Sequence, residues 1–287
     1  MSREIDHVTG IETTGHEWDG VKELNKPLPR WWLWTFYATI IWSIGYWVAY
    51  PAWPTLTGYT KGVLDYSQRR VVAGEVKAAE AAQAGLRAKL QATPFAGVRA
   101  DPDLLRFAIA AGTAAFQTNC APCHGRGAQG FVGYPNLNDD DWLWGGSIED
   151  IHTTIQYGIR NEERRSRQSQ MPRYGLDKML DDGQIEDATS YVMSLSGKPA
   201  DAASVQRGAT IFKDQCVTYH GDNGKGKIDQ GAPNLTDDIW LYGGTREAIA
   251  ESIRTGRGAK MPAWVGRLDT TTIKALAVYV HSLGGGK

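Results

Sequence analysis

The alternation of apolar and polar residues first separates a polar tail from an uncharged segment. Residues 1–30 are polar and contain several glycines and prolines, which predicts a tail without a core of its own. Residues 31–50 carry no charged side chain, and twenty helical residues span about 30 Å, the apolar thickness of a bilayer. This pattern predicts a single transmembrane helix within residues 31–54, with aromatic anchors at both ends. A buried core helix is the alternative interpretation.

An imperfect helical stripe follows in residues 62–92. Its apolar positions are Val63, Tyr66, Val71, Val72, Val76, Leu86 and Leu90, and Ala, Lys, Glu, Gln and Arg dominate between them. We expect residues 55–103 to form a linker with a helical segment. That helix either docks on a partner or is solvated on all sides.

From about residue 100, five motifs occur twice in the same order. They are a cysteine, Pro-Asn-Leu, Trp-Leu-aromatic-Gly-Gly, Met-Pro and Tyr-Val-x-Ser-Leu. They begin at Cys120, Pro135, Trp142, Met171 and Tyr191 in the first copy, and at Cys216, Pro233, Trp240, Met261 and Tyr279 in the second. This order predicts two tandem homologous domains. The Gly/Pro break near Gly197 divides them into residues 104–197 and 198–287.

Charge and cysteine content exclude some classes of protein. The formal net charge is −1 and the basic residues are scattered, so nothing indicates a nucleic-acid partner. The three cysteines are an odd number, which argues against a closed disulfide framework.

The first cysteine motif predicts covalent haem. Residues 120–124 read Cys-Ala-Pro-Cys-His, the attachment signature of c-type haem. The thiols of Cys120 and Cys123 add to the two vinyl groups on one haem edge, and His124 then lies beneath the iron as an axial ligand. The alternatives are a redox pair, which would need a βαβ setting, and half a zinc site, which would need a second complete cysteine pair.

The second cysteine motif is degenerate. Residues 216–220 read Cys-Val-Thr-Tyr-His, so Tyr219 occupies the position of the second haem-binding cysteine. We expect two haem c groups in the chain. The second is held by His220 and attached either through Cys216 alone or without a covalent bond.

Two methionines are the predicted sixth ligands of the irons. Met171 and Met261 each precede proline in the two copies, and His/Met coordination suits electron transfer because it raises the potential and closes the iron to substrates. Core filling is the alternative role of methionine, and it suits Met179 and Met193 better. The pattern leaves open whether each methionine serves its own domain or the other. No metal is assigned to His7, His16, His152 or His281.

The residues around these motifs indicate an all-α fold. Gly112 and Phe116 precede Cys120 on one helical face, and Gly208 and Phe212 precede Cys216 likewise. Both pairs can pack against terminal helices that carry Tyr191 and Tyr279. Residues 104–284 thereby resemble tandem class I cytochrome c domains, behind a single N-terminal transmembrane helix.

The whole layout resembles the dihaem subunit, CcoP or FixP, of cbb3-type cytochrome c oxidases. The tail carries this resemblance at residues 13–20, Thr-Thr-Gly-His-Glu-Trp-Asp-Gly, and at residues 23–32, Glu-Leu-Asn-Lys-Pro-Leu-Pro-Arg-Trp-Trp. The resemblance implies a subunit of a proton-pumping respiratory complex that accepts electrons from a soluble or membrane-bound cytochrome c. It would relay them through a monohaem cytochrome c subunit to the haem–copper subunit that reduces oxygen. The chain itself supplies no copper ligands and is expected to be non-catalytic.

The predicted location is the bacterial inner membrane. Lys22, Lys26 and Arg30 flank the apolar segment on its N-terminal side, and no basic residue follows it until Lys61. This bias favours a cytoplasmic N-terminus and periplasmic haem domains.

Three other functions remain open at this point. They are a free-standing, membrane-anchored dihaem carrier, a dihaem peroxidase and a gas sensor; the last two need an iron with an open or labile site. Acidic residues precede the first tryptophan of each Trp-Leu motif, at positions 139–141 and 237–238. They either steer a basic electron donor or cap helices.

Overall fold

The computed structural model describes residues 4–284 and is helix-rich. Its internal contacts divide the chain into a first unit that ends at Ala81 and a second that begins at Ala82. The helix that contains this boundary, α2, runs over Gln68–Ala92.

The polar tail of the first unit contains a small sheet that the sequence interpretation missed. Strand β1 (Thr13–Trp18) pairs antiparallel with β2 (Val21–Leu24). Asp19 and Gly20 join them with φ angles of 51° and 85°. Two consecutive left-handed residues suit the tight turn of a hairpin, and Asp-Gly is a preferred sequence for it. The tail is therefore not a coil, and the chain is not purely α-helical.

A long aromatic helix follows this hairpin. Helix α1 covers Arg30–Ala49 and contains no buried residue. A second small hairpin, β3 (Pro54–Thr55) with β4 (Gly58–Tyr59), comes next. Across residues 4–284, no helix combines the length and the apolar character that a membrane crossing requires. The helix is confirmed, but the membrane crossing predicted within residues 31–54 is not.

The longer helices of the repeats have capped N-termini. Helix α3 (Phe95–Ala100) precedes α4 (Pro102–Asn119), α5 (Ala121–His124), α6 (Ile148–Tyr157) and α7 (Asp182–Leu195) of the first repeat. The second repeat contains α8 (Ala202–Gln215), α9 (Val217–His220), α10 (Arg246–Thr255) and α11 (Thr270–His281). Side chains of Asp, Ser or Thr accept backbone hydrogen bonds at the N-termini of all six longer helices of the repeats.

The two hydrophobic cores combine helices from different repeats. Helices α4 and α6 of the first repeat pack against α11 of the second, whereas α8 and α10 of the second pack against α7 of the first. Leu90 at the end of α2 and Val98 in α3 are also buried in the first core. The domain limits 104–197 and 198–287 remain a prediction about the sequence repeat, because neither core is built from one repeat alone.

Glycine and aromatic residues form the contact in each core. Gly112 lies against the carbonyl oxygen of Ala275 and the Cβ of Tyr279, so a larger residue would separate α4 from α11. The rings of Phe116 and Tyr279 meet edge to face, with centroids 5.3 Å apart. Gly208 lies in the same way against Asp187 and Tyr191, and the rings of Tyr191 and Phe212 are 5.1 Å apart. The predicted packing of these residues is confirmed, with the partners exchanged between the repeats.

The short connection between the repeats explains this exchange. Helix α7 ends at Leu195 and α8 begins at Ala202, so the last helix of one repeat must lie close to the first helix of the next. Helices joined by short connections are usually neighbours in a bundle. Helix α11 then completes the core around α4.

Candidate haem sites

The first cysteine motif forms a single helical turn at the end of α4. Cys120 ends α4, and α5 continues directly to His124. Cys120 packs against the first core, whereas Cys123 is exposed, and neither is in a disulfide. Nδ1 of His124 lies 3.2 Å from the carbonyl oxygen of Pro135. Because a carbonyl only accepts, Nδ1 carries the proton and donates it, which leaves Nε2 free to bind a metal.

The second motif repeats this geometry. Cys216 ends α8, α9 reaches His220, and His220 is 8% exposed. Nδ1 of His220 lies 3.3 Å from the carbonyl oxygen of Pro233. The Pro-Asn-Leu motif of each copy therefore orients the histidine of the same copy. The sequence interpretation found this motif without identifying its role.

Burial sets the protonation of these groups. It lowers the pKa of His124 and of His220, so both imidazoles are held in the neutral form that binds metals. Burial also raises the pKa of the Cys120 and Cys216 thiols to about 11, with Cys123 adding to the effect on Cys120. These two thiols are therefore protonated at neutral pH.

Each methionine lies in the core that contains the cysteine of the other repeat. Met261 packs against the first core, which contains Cys120, and Met171 packs against the second, which contains Cys216. The loop of Met261 is fixed by reciprocal backbone hydrogen bonds with Ile159, of 3.0 and 2.9 Å. Asn161 Nδ2 also donates to the Met261 carbonyl oxygen at 2.7 Å. The packing therefore places each methionine with the cysteine of the other repeat, and its role as an iron ligand stays a prediction.

A large cavity adjoins the second motif. Its volume is about 870 Å³, and Cys216, His220 and Met171 line it together with Phe212 and Trp240. The indole N–H of Trp240 is buried and has no hydrogen-bond partner among the described residues. An open imidazole nitrogen, a free thiol, a thioether and an unused buried donor around an apolar space fit a haem group.

Tyr219 also lines this cavity, and its hydroxyl is satisfied. It lies 3.1 Å from Ser169 Oγ and 3.0 Å from the carbonyl oxygen of Gly231. The ring is edge-on to that of His220 at 5.1 Å. Ser169 was not predicted as a site residue. A sequence signal for its loop exists, since thirteen positions separate Gly158 from Met171 but five separate Gly256 from Met261.

The absence of metal from the histidines outside the motifs stays a prediction. The described residues contain no cluster of three or more His, Cys, Asp or Glu side chains that could hold a metal ion. His152 lies edge-on to the ring of Phe95 at 5.5 Å instead.

The acidic residues do not cap helices, which contradicts one of their two predicted roles. Ser147 and Thr245 cap α6 and α10. Asp139 instead accepts from the backbone N–H of Asp141, and Asp237 accepts from that of Ile239. Burial, with the nearby charges of Asp237 and Asp139, raises the pKa of the Asp141 carboxyl to about 6.

Two family models match the chain. Residues 10–57 match the model of the N-terminal domain of cytochrome oxidase-cbb3, FixP. Residues 107–192 and 203–280 both match the model of cytochrome c oxidase, cbb3-type, subunit III. The duplicated match corresponds to the two repeats.

Several full-length relatives are similar to the chain. The cbb3-type cytochrome c oxidase subunit FixP of Bradyrhizobium sp. (strain ORS 278) is 54% identical, over 99% of this chain and 98% of its own length. The subunit CcoP of Cereibacter sphaeroides is 52% identical, over 96% of this chain and 95% of its own. The subunit FixP of Azorhizobium caulinodans is 52% identical, over 99% of this chain and 96% of its own length.

The fold and the duplicated family match define a cytochrome c with two repeats. The chain belongs to the family of subunit III of cbb3-type cytochrome c oxidases. It is an electron-transfer subunit of such an oxidase.

The raised pKa of Asp141 predicts a pH-dependent stability. Because the folded pKa of about 6 lies above the ordinary value, this carboxyl favours folding at low pH, and its contribution is lost as the pH rises through 6. Replacement Asp141→Asn should therefore stabilise the chain at pH 7.5 by about 1 kcal/mol, a figure reduced for the half-exposed side chain. The gain should disappear at pH 4.

Denaturant unfolding of both chains at pH 4, 5.5 and 7.5 measures this difference. Asp140→Asn, which alters the neighbouring exposed carboxylate, is the matched control and should show no such pH-dependent gain. Equal stability of Asp141→Asn and the unaltered chain at pH 7.5 would contradict the assignment.

Proposed function

We propose that the chain carries two c-type haems and transfers electrons one at a time toward the oxygen-reducing subunit of its oxidase. One observation carries this proposal. Each repeat presents a histidine whose Nδ1 is hydrogen-bonded to a proline carbonyl oxygen, and the first cysteine of each motif shares a core with the Met-Pro methionine of the other repeat. Haem supplies iron that alternates between the ferrous and ferric states when it is bound at these sites.

The ligand sets are crossed between the repeats in this proposal. His124 and Met261 would hold the iron at the first site, and His220 and Met171 would hold it at the second. A thioether ligand raises the potential and leaves no open position for oxygen or peroxide. The peroxidase and gas-sensor alternatives would require such a position.

The two sites differ in covalent attachment. At the first, Cys120 and Cys123 would each add their S–H group across one haem vinyl group, which would give two thioether bonds. At the second, only Cys216 can form a thioether, because Tyr219 replaces the other thiol. The second haem would be attached through Cys216 alone or would have no covalent bond. In both cases His220, Met171 and the apolar cavity would hold it.

The proposed partners follow from the family. The relatives are named as subunits of cbb3-type cytochrome c oxidases. We infer that this chain receives electrons from a soluble or membrane-bound cytochrome c and delivers them through a monohaem subunit to the haem–copper subunit. Asp139, Asp141 and Asp237 lie close enough to influence one another electrostatically. They give the second unit an acidic patch that would attract a basic donor.

Helix α1 is the proposed membrane anchor. It carries no charge after Arg30, and all its side chains are at least partly exposed. Its many Trp and Tyr residues lower the average hydropathy, yet these side chains favour the membrane interface. The basic residues before the helix favour a cytoplasmic N-terminus and periplasmic haem sites in the bacterial inner membrane.

Methionine replacement tests the crossed ligands most directly. We would first remove the second haem with the double change Cys216→Ala/His220→Ala, which leaves the first haem alone. In that background, Met261→Ala should abolish the sulfur-to-iron absorption band at the red end of the spectrum and allow carbon monoxide to bind. Met171→Ala should leave the band unchanged.

The background chain is the control and must retain the band before either methionine is replaced. The opposite pattern, in which Met171→Ala removes the band and Met261→Ala preserves it, would show that each repeat uses its own methionine. A band that survives both changes would remove both residues from the first site.

Protease accessibility tests the anchor. Protease added to sealed, right-side-out spheroplasts should remove both haem-containing repeats and leave a membrane fragment that includes α1. The same treatment of inverted vesicles should spare the repeats and cut only near residues 1–30. Survival of the repeats in spheroplasts, while a periplasmic marker is digested, would contradict this orientation.

A further inference from the structure

Tyr219 and Cys123 occupy equivalent positions in the two motifs but have different surroundings. Cys123 is exposed. The Tyr219 side chain is partly buried, and its hydroxyl contacts two groups that lie far apart in the sequence, Ser169 Oγ and the Gly231 carbonyl oxygen. Tyr219 therefore does more than fill the space of a missing thiol.

The chemistry of the partners fixes the direction of these hydrogen bonds. The Gly231 carbonyl can only accept, so the Tyr219 hydroxyl donates to it at 3.0 Å. The Tyr219 oxygen then accepts from the Ser169 hydroxyl at 3.1 Å. Ser169 Oγ in turn accepts from Nη1 of Arg160 at 3.2 Å. Each donor in this series of hydrogen bonds therefore has one acceptor.

Both ends of the network are held in place. Gly231 has a left-handed φ of 62° and lies against the indole of Trp144, which is 6% exposed. Arg160 also donates from Nε to the Ala259 carbonyl oxygen at 3.1 Å. The hydroxyl of Tyr219 thus joins a fixed structure rather than a mobile surface loop.

The network reaches both methionine loops. Ser169 lies two positions before Met171, and Ala259 lies two positions before Met261. Ser169 belongs to the loop that is longer in the first repeat than its counterpart in the second. Tyr219 itself adjoins His220, so one hydrogen bond connects the turn of the proposed proximal ligand with the loop of the proposed sixth ligand.

We infer that Tyr219 is a positioning residue, whose hydroxyl ties the Met171 loop to the His220 turn and keeps Met171 on the iron of the second site. This inference rests on the proposed function. A site with at most one thioether bond has lost a covalent constraint on its turn. The hydrogen bond between Tyr219 and Ser169, called the tie below, links the two proposed axial ligands in a way that a second cysteine would not.

Competition with imidazole measures this tie. Imidazole binds ferric iron only where the methionine sulfur has left, so its apparent affinity reports how readily Met171 dissociates. A net hydrogen bond contributes about 1 kcal/mol, and we therefore expect Tyr219→Phe to bind imidazole about fivefold more tightly at the second site. Met171→Ala identifies the binding phase that belongs to this site. The first haem is an internal reference and should not change.

Three further variants define the origin of the effect. Ser169→Ala should also tighten imidazole binding, and Tyr219→Phe/Ser169→Ala should match Tyr219→Phe within about twofold, because both changes remove one shared interaction. Tyr157→Phe is the matched control. It removes a tyrosine hydroxyl that accepts a hydrogen bond from Arg165, which lies in the same long loop. The imidazole affinities of both haem sites should remain unchanged.

Haem content, measured as pyridine haemochrome per chain, separates the failure of this inference from that of the proposed function. One haem per unaltered chain would overturn the second site and the tie with it. Two haems with unchanged imidazole affinity in Tyr219→Phe, or with fully additive effects of the two replacements, would overturn the tie alone. If Tyr219→Phe loses its haem, Ser169→Ala decides: tighter imidazole binding supports the tie, and unchanged binding overturns it.

Discussion

Contact between helices of different repeats is the constraint on which both candidate sites depend. Gly112 allows α4 to touch α11, and Gly208 allows α8 to touch α7. Each cysteine turn begins at the end of one of these glycine-bearing helices. The methionine loops follow the same exchange, since Met261 packs in the core of Cys120 and Met171 in the core of Cys216. Neither candidate site therefore draws both of its proposed axial ligands from a single repeat, and the two repeats form one structural unit around both sites.

The two sites are alike in their histidines and unlike in their surroundings. The same hydrogen bond to a proline carbonyl oxygen orients His124 and His220, and burial keeps both neutral. The second site has one thiol fewer and a longer methionine loop. Tyr219 uses that longer loop, since its hydroxyl meets Ser169 there. The loss of a covalent attachment point and the gain of a polar contact occur at one position.

Local motifs in the sequence were sufficient to predict the candidate ligands and the helices, but not their pairing. Phe116 and Phe212 have equivalent neighbours in the two copies, so pairing within a repeat and between repeats use the same residue types. The contact of Tyr219 with Ser169 spans 50 positions and belongs to no motif. The Asp19-Gly20 hairpin had a recognisable turn sequence and was overlooked. Of the two alternative roles of the acidic residues 139–141, helix capping is contradicted because Ser147 is the N-cap of α6.

Cleavage between the repeats tests the exchange of helices most directly. A protease site inserted after Gly197, where an added side chain would meet no atom within 4 Å, allows the folded chain to be cut between α7 and α8. The two fragments should remain associated during gel filtration without denaturant, because each core needs helices from both. Spontaneous separation into two folded, haem-containing fragments would contradict the exchange and the crossed ligands that depend on it.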